Sequence, residues 1–438
     1  MQILDWTELG EAARTRTLAR PALLDPIGRE TTVAGILRAV REDGDAALRN
    51  YTRCFDGVDI ETFEVAPEAI TAAERSLDAS TRAAIDRAFD TIGRFHVPSG
   101  KSEYRVETAP GVVCRRVVRP LAAVGLYVPG GSAPLPSTVL MLGVPAMLAG
   151  CETRVLCTPP DADGNVAPAI LYAAERCGIT RIFRAGGAQA IAAMAFGTET
   201  LPRVDRIFGP GNGWVTEAKR QVAQDPEGAL SDLPAGPSEL LVLADEHADP
   251  LFVAADLLSQ AEHGPDSQVL LVTTSVDLAR RVGLELERQL AELPREAIAR
   301  QSLDASRIIC VPDIATALAV SNRYAPEHLI LNVADPEGLL PEVRNAGSVF
   351  LGAWTPESLG DYASGTNHVL PTYGYARQLS GLSVGDFQKS FTVQSATSAG
   401  LAGLGPAVIA LARAEGLEAH ARAVSRRLEA GEHDREPA

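Results

Sequence analysis

From residue 122 onward the chain alternates, and that alternation narrows its possible folds more than any other feature. Short β-branched runs such as AAVGLYV, TRVLCTPP, RIFRAGG and RIFGPGN are separated by helical stretches such as STVLMLGVPAMLAG, PAILYAAERCG, AQAIAAMAFG and GWVTEAKRQVA. Strands that alternate with helices build βαβ units, whose crossovers impose a mostly parallel sheet. A second series repeats the pattern: SELLVLAD, FVAADLLSQAEHG, SQVLLVTTS, DLARRVGLELERQLAEL, SRIICVPD, IATALAVSNRYA, HLILNV and GSVFLGAW. The chain therefore reads as α/β with two similar layers, a pattern that suggests a duplication. Ahead of it, TTVAGILRAVREDGDAALRNYTRCFDG and APEAITAAERSLDASTRAAIDRAFDTIGRFH carry apolar residues at three- and four-residue spacing and predict packing helices. The tail from Ser380 to Ala438 ends Ala-rich and charged, and reads as a helical arm.

Composition excludes several classes of function. With 438 residues, 46% of them hydrophobic, the chain can bury more than one core. A net charge of −16 and a pI near 5.0 argue against a nucleic-acid partner, whose backbone is held by basic surface. The start, MQILDWTELGEAARTRT, lacks the basic and apolar regions of a signal peptide, so a cytoplasmic location is expected. The most apolar stretch, 122–150, is broken by Pro129, Pro134, Pro136 and Pro145, which argues against a membrane span. Six cysteines in so long a chain are expected to be reduced thiols.

In parallel sheets ligands gather where strands end and helices begin. Those loops hold PGGSAPLPS, GGAQA and GPGNG, and DLPAGPS stands before SELLVLAD. Clustered glycines let a backbone approach a phosphate or a flat ligand, although tight turns explain any one of them as well. Four of the seven histidines sit beside other ligand-capable residues: His263, His328, His368 and His420. Gln260 and His263, three apart at a helix end stopped by Gly264-Pro265, project from one face; they can share an ion, and a capping histidine is the other reading. With Asp361 and His420 they make a set of two nitrogens and two oxygens that suits a zinc-like ion. The adjacent Glu327 and His328 follow Pro326; if they sit at a turn, both can reach one site and act as two separate bases. SLGDYASGTNHVLPTYG, which carries Asp361 and His368, has no period and reads as a long loop.

Nine motifs in order, VGLYVPGG, GGAQAIAAMAFGT, IFGPGN, VTEAKRQV, DLPAGPSE, QAEHGPDSQ, NRYAPEHL, PESLGDYASGTNHVLPT and EGLEAH, give nearly the whole chain a close resemblance to the histidinol dehydrogenase family. The resemblance implies a zinc enzyme that oxidises L-histidinol to L-histidine in two NAD-dependent steps. It implies zinc ligands at Gln260, His263, Asp361 and His420, and catalytic bases at Glu327 and His328. Substrate contacts are implied at Ser238, Gln260, His263, His328, Asp361, His368, Glu415 and His420, and NAD contacts at Tyr127, Gln189 and Asn212. The implied architecture is an intertwined homodimer of two incomplete Rossmann-like domains, in which the C-terminal arm completes the partner's site. Its expected parts are an N-terminal helical arm (1–22), a first α/β domain with the metal and the bases (23–121 and 238–379), a second with the NAD loops (122–237), and the arm (380–438). A zinc and NAD dehydrogenase of another small polyol or sulfonated alcohol would keep most of this set, with Glu415 as the discriminator; a zinc hydrolase would have no use for the glycine loops. A thiol route through Cys114 or Cys151 is disfavoured because both stand in apolar contexts.

Overall fold

The structure, a computed structural model, describes residues 1–20, 28–130, 134–234 and 236–433. The expected boundary at 22 and 23 lies outside the described residues, as do 131–133 of the first glycine loop, Ala235 and 434–438. The chain divides into two compact units, Met1–Ser99 with Leu121–Phe387, and Gly100–Pro120 with Gln388–Ala438.

Strands in chain order are β1 (Gln2–Asp5), β2 (Tyr104–Ala109), β3 (Val112–Pro120), β4 (Ala123–Tyr127), β5 (Thr153–Thr158), β6 (Arg181–Arg184), β7 (Arg206–Phe208), β8 (Leu230–Ser231), β9 (Glu239–Ala244), β10 (Gln268–Thr273), β11 (Arg307–Cys310), β12 (His328–Asn332), β13 (Ser348–Leu351) and β14 (Gln388–Ala396). In the first unit, β4–β8 form a five-stranded sheet ordered β6-β5-β4-β7-β8, and β9–β13 with β1 form a six-stranded sheet ordered β1-β11-β10-β9-β12-β13. Every pairing within these two sheets is parallel. Counted from its own first strand, each series follows the order 3-2-1-4-5, so the two halves share one topology. The N-terminal segment expected to be helical opens instead with β1, which extends the six-stranded sheet beyond β11.

The runs β9 and β10 are buried at every residue, which a parallel sheet achieves only with helices on both faces. On the six-stranded sheet, the helix Val276–Leu290 supplies a stripe of Leu278, Ala279, Val282, Leu286 and Leu290 at three- and four-residue spacing. The five-stranded sheet differs. Its helices Pro136–Ala149 and Gly187–Phe196 are buried nearly all round, so they need a second helical layer outside them. That layer comes from Arg29–Asp56, Pro67–Ser76 and Ala79–His96, whose buried residues share cores with β4–β7. The resemblance implies a domain that joins these helices to the six-stranded sheet; their apolar faces lie against the helices of the five-stranded one. Among the described residues no helix is long and apolar enough to cross a membrane.

In the second unit, β14 pairs antiparallel with β3 from Gln388↔Pro120 to Ala396↔Val112, and β2 covers the other edge of β3. The helices Ser398–Ala414 and Glu418–His433 follow and pack on each other, with Gly405 against Val424 and Leu428. The segment expected to be a helical arm thus carries the strand β14 ahead of its helices.

Candidate functional site

β9, β10 and β12 begin at one level, with Glu239 opposite Gln268 and Leu240 opposite His328, and this amino edge of the six-stranded sheet lines a cavity of about 380 Å³. The opposite wall is the carboxyl edge of the five-stranded sheet, where Pro210–Gly213 follow β7.

The Glu327–His328 turn is built by strain and a buried ion pair. The helix Ile314–Tyr324 stops at Ala325, whose φ of 55° is left-handed and unfavourable for a residue with a side chain. Pro326 then forces an extended entry into β12. Arg20 holds the turn: it donates to the main-chain oxygens of Tyr324 (2.9 Å) and Ala325 (3.4 Å), lies over the Tyr324 ring, and grips Glu239 through Nε (2.5 Å) and Nη2 (2.9 Å). Glu239 also accepts the N–H of Tyr373 (2.8 Å), the other non-glycine residue with left-handed φ among those described. Both strained residues are thus tied to one buried carboxylate beside the cavity. Neither Arg20 nor Glu239 was legible in the sequence, because they meet across 219 positions.

His328 is 3% exposed. Its Nδ1 lies 3.1 Å from the carbonyl oxygen of Glu239, which can only accept, so the proton sits on Nδ1 and Nε2 points to Asp361 Oδ1 at 3.5 Å. Burial works against a charged imidazole, yet the carboxylates of Glu327 and Asp361 outweigh it and hold His328 well above the ordinary histidine range. Glu327 accepts the N–H of Glu239 at 2.8 Å and lies 3.5 Å from His328 Nδ1; burial raises its carboxyl.

The metal-type donors come from two helix ends. Asp249 caps and Pro250 opens the helix Pro250–Ala261, and Gly264-Pro265 follows its end, so Gln260 and His263 leave from its last turn. Gln260 is 1% exposed; its Nε2 is 2.9 Å from Glu357 Oε1, while its Oε1 has no hydrogen-bond partner. Asp361 ends a short helix, Glu357–Tyr362, inside the stretch expected to be loop throughout. His263 Nε2 stands 4.0 Å from Asp361 Oδ2. Asp361 is held below the usual carboxylate range: burial opposes this, but His328 prevails. Asp361 also accepts His368 Nδ1 through its main-chain oxygen at 2.9 Å, and His368 Nε2 reaches Thr138 Oγ1 at 3.3 Å. Withdrawal into the cleft lowers both His263 and His368. Glu357 reads in the sequence as an ordinary first-turn acid; it is buried, and burial and Asp361 push its carboxyl up to about 9.

Ser238, Gln260, His263, Glu327, His328, Asp361 and His368 thus line one cavity. Tyr127 and Gln189 line an adjoining one of about 630 Å³, and Asn212 borders both. In the second cavity the Tyr127 hydroxyl accepts the N–H of Gly187 at 3.0 Å, and the oxygen Gln189 Oε1, on a residue 1% exposed, has no partner. Asn212 caps the helix Gly213–Gln224, and its loop is pinned by Lys219, which donates to Gly209 O (2.7 Å) and to Asp232. A Cβ on Gly209 would meet Tyr127 O at 2.1 Å, so this turn requires glycine. Glu415 and His420 belong to the second unit, where both are exposed. No cysteine is among the described lining residues of either cavity, and Cys151 is buried with its thiol pushed up to about 11 by burial.

Two parallel sheets of one topology, sharing a cleft of imidazole, carboxylate and amide groups, define an α/β protein with the equipment of a two-ligand enzyme. A sequence model of histidinol dehydrogenase matches residues 25–428. The histidinol dehydrogenase of Xanthomonas axonopodis pv. citri (strain 306) is 57% identical over 428 residues, covering 98% of this chain and 99% of that protein. That of Photobacterium profundum is 53% identical over 429 residues, covering 98% and 96%. The crystal structure of histidinol dehydrogenase from Elizabethkingia anophelis superposes with a TM-score of 0.93 at 48% identity, covering 98% of each chain. The chain belongs to the histidinol dehydrogenase family, and it is an oxidoreductase.

Proposed function

We propose that this protein oxidises L-histidinol to L-histidine through histidinaldehyde, with two NAD+ and one zinc ion per subunit. The observation that carries the reading is Gln260 Oε1, a buried carbonyl oxygen with no partner, on a residue that lines the same cavity as Asp361, His263 and His328. An orphaned acceptor of this kind costs about 1–3 kcal/mol unless a donor or a cation meets it. An amide oxygen, a carboxylate and an imidazole suit a divalent ion, and His420 of the partner subunit would complete the set, with the partner's Glu415 on the substrate imidazole. When bound, the ion supplies a template for the substrate's amino group and imidazole. Tyr127, Gln189 and Asn212 would hold the NAD+, which would supply the hydride acceptor.

His328 receives the hydroxyl proton at Nε2 as hydride leaves the alcohol carbon. For that it must be neutral, and positive charge at Asp361 would offset one of the two carboxylates, Glu327 and Asp361, that hold it protonated. The aldehyde must then add water before a second hydride can leave. Glu327 takes the proton of that water while His328 returns its own proton to the carbonyl oxygen, which gives the gem-diol; neutral again, His328 deprotonates the gem-diol as the second hydride leaves. Ser238 and His368 bind the substrate's polar groups from the cavity walls.

The test is NADH absorbance with purified protein, NAD+ and histidinol, where about two NADH should appear per histidinol consumed. Turnover of another small alcohol in place of histidinol would favour the related dehydrogenase. The shared site is tested by unfolding, mixing and refolding His263→Ala with His420→Ala. Half the dimers are mixed with one good site each, so roughly a quarter of wild-type activity should return. No recovery where mixed dimers have formed would place His420 in its own subunit's site.

A further inference from the structure

Gln260 can ligate a cation only through its oxygen, because an amide nitrogen has no free lone pair, yet the two orientations of the amide are nearly identical in shape. Something must choose between them. Gln260 Nε2 lies 2.9 Å from Glu357 Oε1 and 3.2 Å from His328 Nδ1. His328 Nδ1 carries its hydrogen toward the Glu239 carbonyl, so it cannot accept from the amide. Among the contacts of the described residues, that leaves Glu357 as the acceptor that fixes the orientation. Its other oxygen accepts Ser259 Oγ at 2.8 Å, from the residue next to Gln260 on the same helix, and Glu357 itself is 1% exposed. Turned the other way, the amide would set its oxygen against a carboxyl oxygen and its NH2 toward the metal. Glu357 Oε1, the oxygen that faces Gln260, is placed to accept from the amide NH2.

We propose that Glu357 is a positioning residue that turns the Gln260 amide oxygen-first toward the metal. The proposal rests on the metal site described under the proposed function. Glu357 stands four residues before Asp361 on the short helix, so it shares a face with that second ligand. Glu357 also lies with His328 and Asp361 in a cluster whose ligand atoms are all within 4.8 Å, so the rival is that Glu357 itself binds the ion in place of Gln260.

Zinc affinity, measured by competition with a chromophoric chelator on stripped protein, and the visible spectrum of the cobalt-loaded protein separate these outcomes. Glu357→Leu, which offers the amide no acceptor, should bind zinc about 10–100-fold more weakly and shift the cobalt bands, as loss of a group that orients a ligand does. Gln260→Glu combined with Glu357→Gln should recover to within about tenfold of wild type, since a carboxylate presents oxygen in either orientation and the new amide donates to it. Wild-type zinc affinity and an unchanged cobalt spectrum in Glu357→Leu would overturn the proposal. So would Gln260→Ala keeping zinc while Glu357→Leu loses it, because Glu357 would then be the ligand. Thermal melts report folding; if the single variant does not fold, weaker zinc binding by the double variant than by Gln260→Glu alone overturns the idea. Wild-type protein that binds no zinc would instead sink the metal reading itself.

Discussion

The two sheets have the same strand order and turn opposite edges to the same cleft. The five-stranded sheet presents its carboxyl edge, where the helices Pro136–Ala149, Gly187–Phe196 and Gly213–Gln224 begin. Helix starts carry unpaired N–H groups and partial positive charge, which suits the phosphates of a dinucleotide. The six-stranded sheet presents its amino edge, where the helices Pro250–Ala261 and Ile314–Tyr324 end. Helix ends carry unpaired carbonyls and partial negative charge, which suits a cation. At its own carboxyl edge, between β9 and β12, the Asp245 carboxylate is taken by the N–H groups of His247 (2.9 Å) and Ala334 (2.7 Å). One topology can therefore serve two ligands of opposite charge, provided the copies face the cleft in opposite senses.

If the edges divide the labour this way, damage to one should spare the other. Asp361→Ala removes the carboxylate central to the metal edge. Zinc affinity should fall on the order of a thousandfold and turnover should vanish. NAD binding, followed by the fluorescence of Trp214 in the second cavity, should stay within about twofold of wild type. A parallel loss of NAD binding would break the division. Glu327→Gln comes next in size and keeps an acceptor for the Glu239 N–H. With histidinaldehyde as substrate it should lose about 10²–10³-fold in rate, and the alcohol step should lose less than about tenfold, because only the aldehyde must add water. Equal losses in both steps would remove the separate role of Glu327.

The sequence announced the two edges unequally. Alternating strands and helices predicted the parallel sheets, and glycine loops after β4, β6 and β7 pointed to the carboxyl edge by a general rule of such folds. That rule gives no warning of a site at an amino edge. Gln260, His263, Glu327, His328 and Asp361 were legible because histidines are few and each stands at a break in the pattern. Glu357 and Glu239 were not, since an acid in a helix's first turn or at a strand's start looks like a solvated charge until its partner is known. Arg20 is invisible for the same reason: its partner is fixed by the fold alone. β1 was missed because a four-residue edge strand has too little period to be seen.

On the cofactor edge, Gln189→Ala removes the unpartnered oxygen Gln189 Oε1. It should raise the Michaelis constant for NAD about tenfold, which corresponds to one lost hydrogen bond of about 1–1.5 kcal/mol. Zinc content and the histidinol constant should not change. An unaltered NAD constant would mean that the buried oxygen meets something other than the cofactor.

The smallest effect tests a residue that breaks the charge rule. Asp56 ends the helix Arg29–Asp56, where a negative charge opposes the helix dipole, and it borders the second cavity with Oδ2 unpartnered. Burial raises its carboxyl from 3.8 to about 6. A raised folded value means that the folded protein binds this proton more tightly than the unfolded chain. The group's contribution is therefore most favourable below about pH 4, and it is lost as pH rises through the window from 4 to 6. Asp56→Asn should match wild type in stability at pH 4 and exceed it at pH 7 by on the order of 1–2 kcal/mol, less than the full shift would give because solvent still reaches the site. An acid kept at this cost needs a ligand that brings donors, and the hydroxyls of a ribose are such donors. The same variant should then bind NAD a few-fold more weakly at pH 7 while melting at a higher temperature. A variant that gains stability and keeps its NAD affinity would mean that Asp56 meets no cofactor hydroxyl, and the positive helix starts alone would account for the edge.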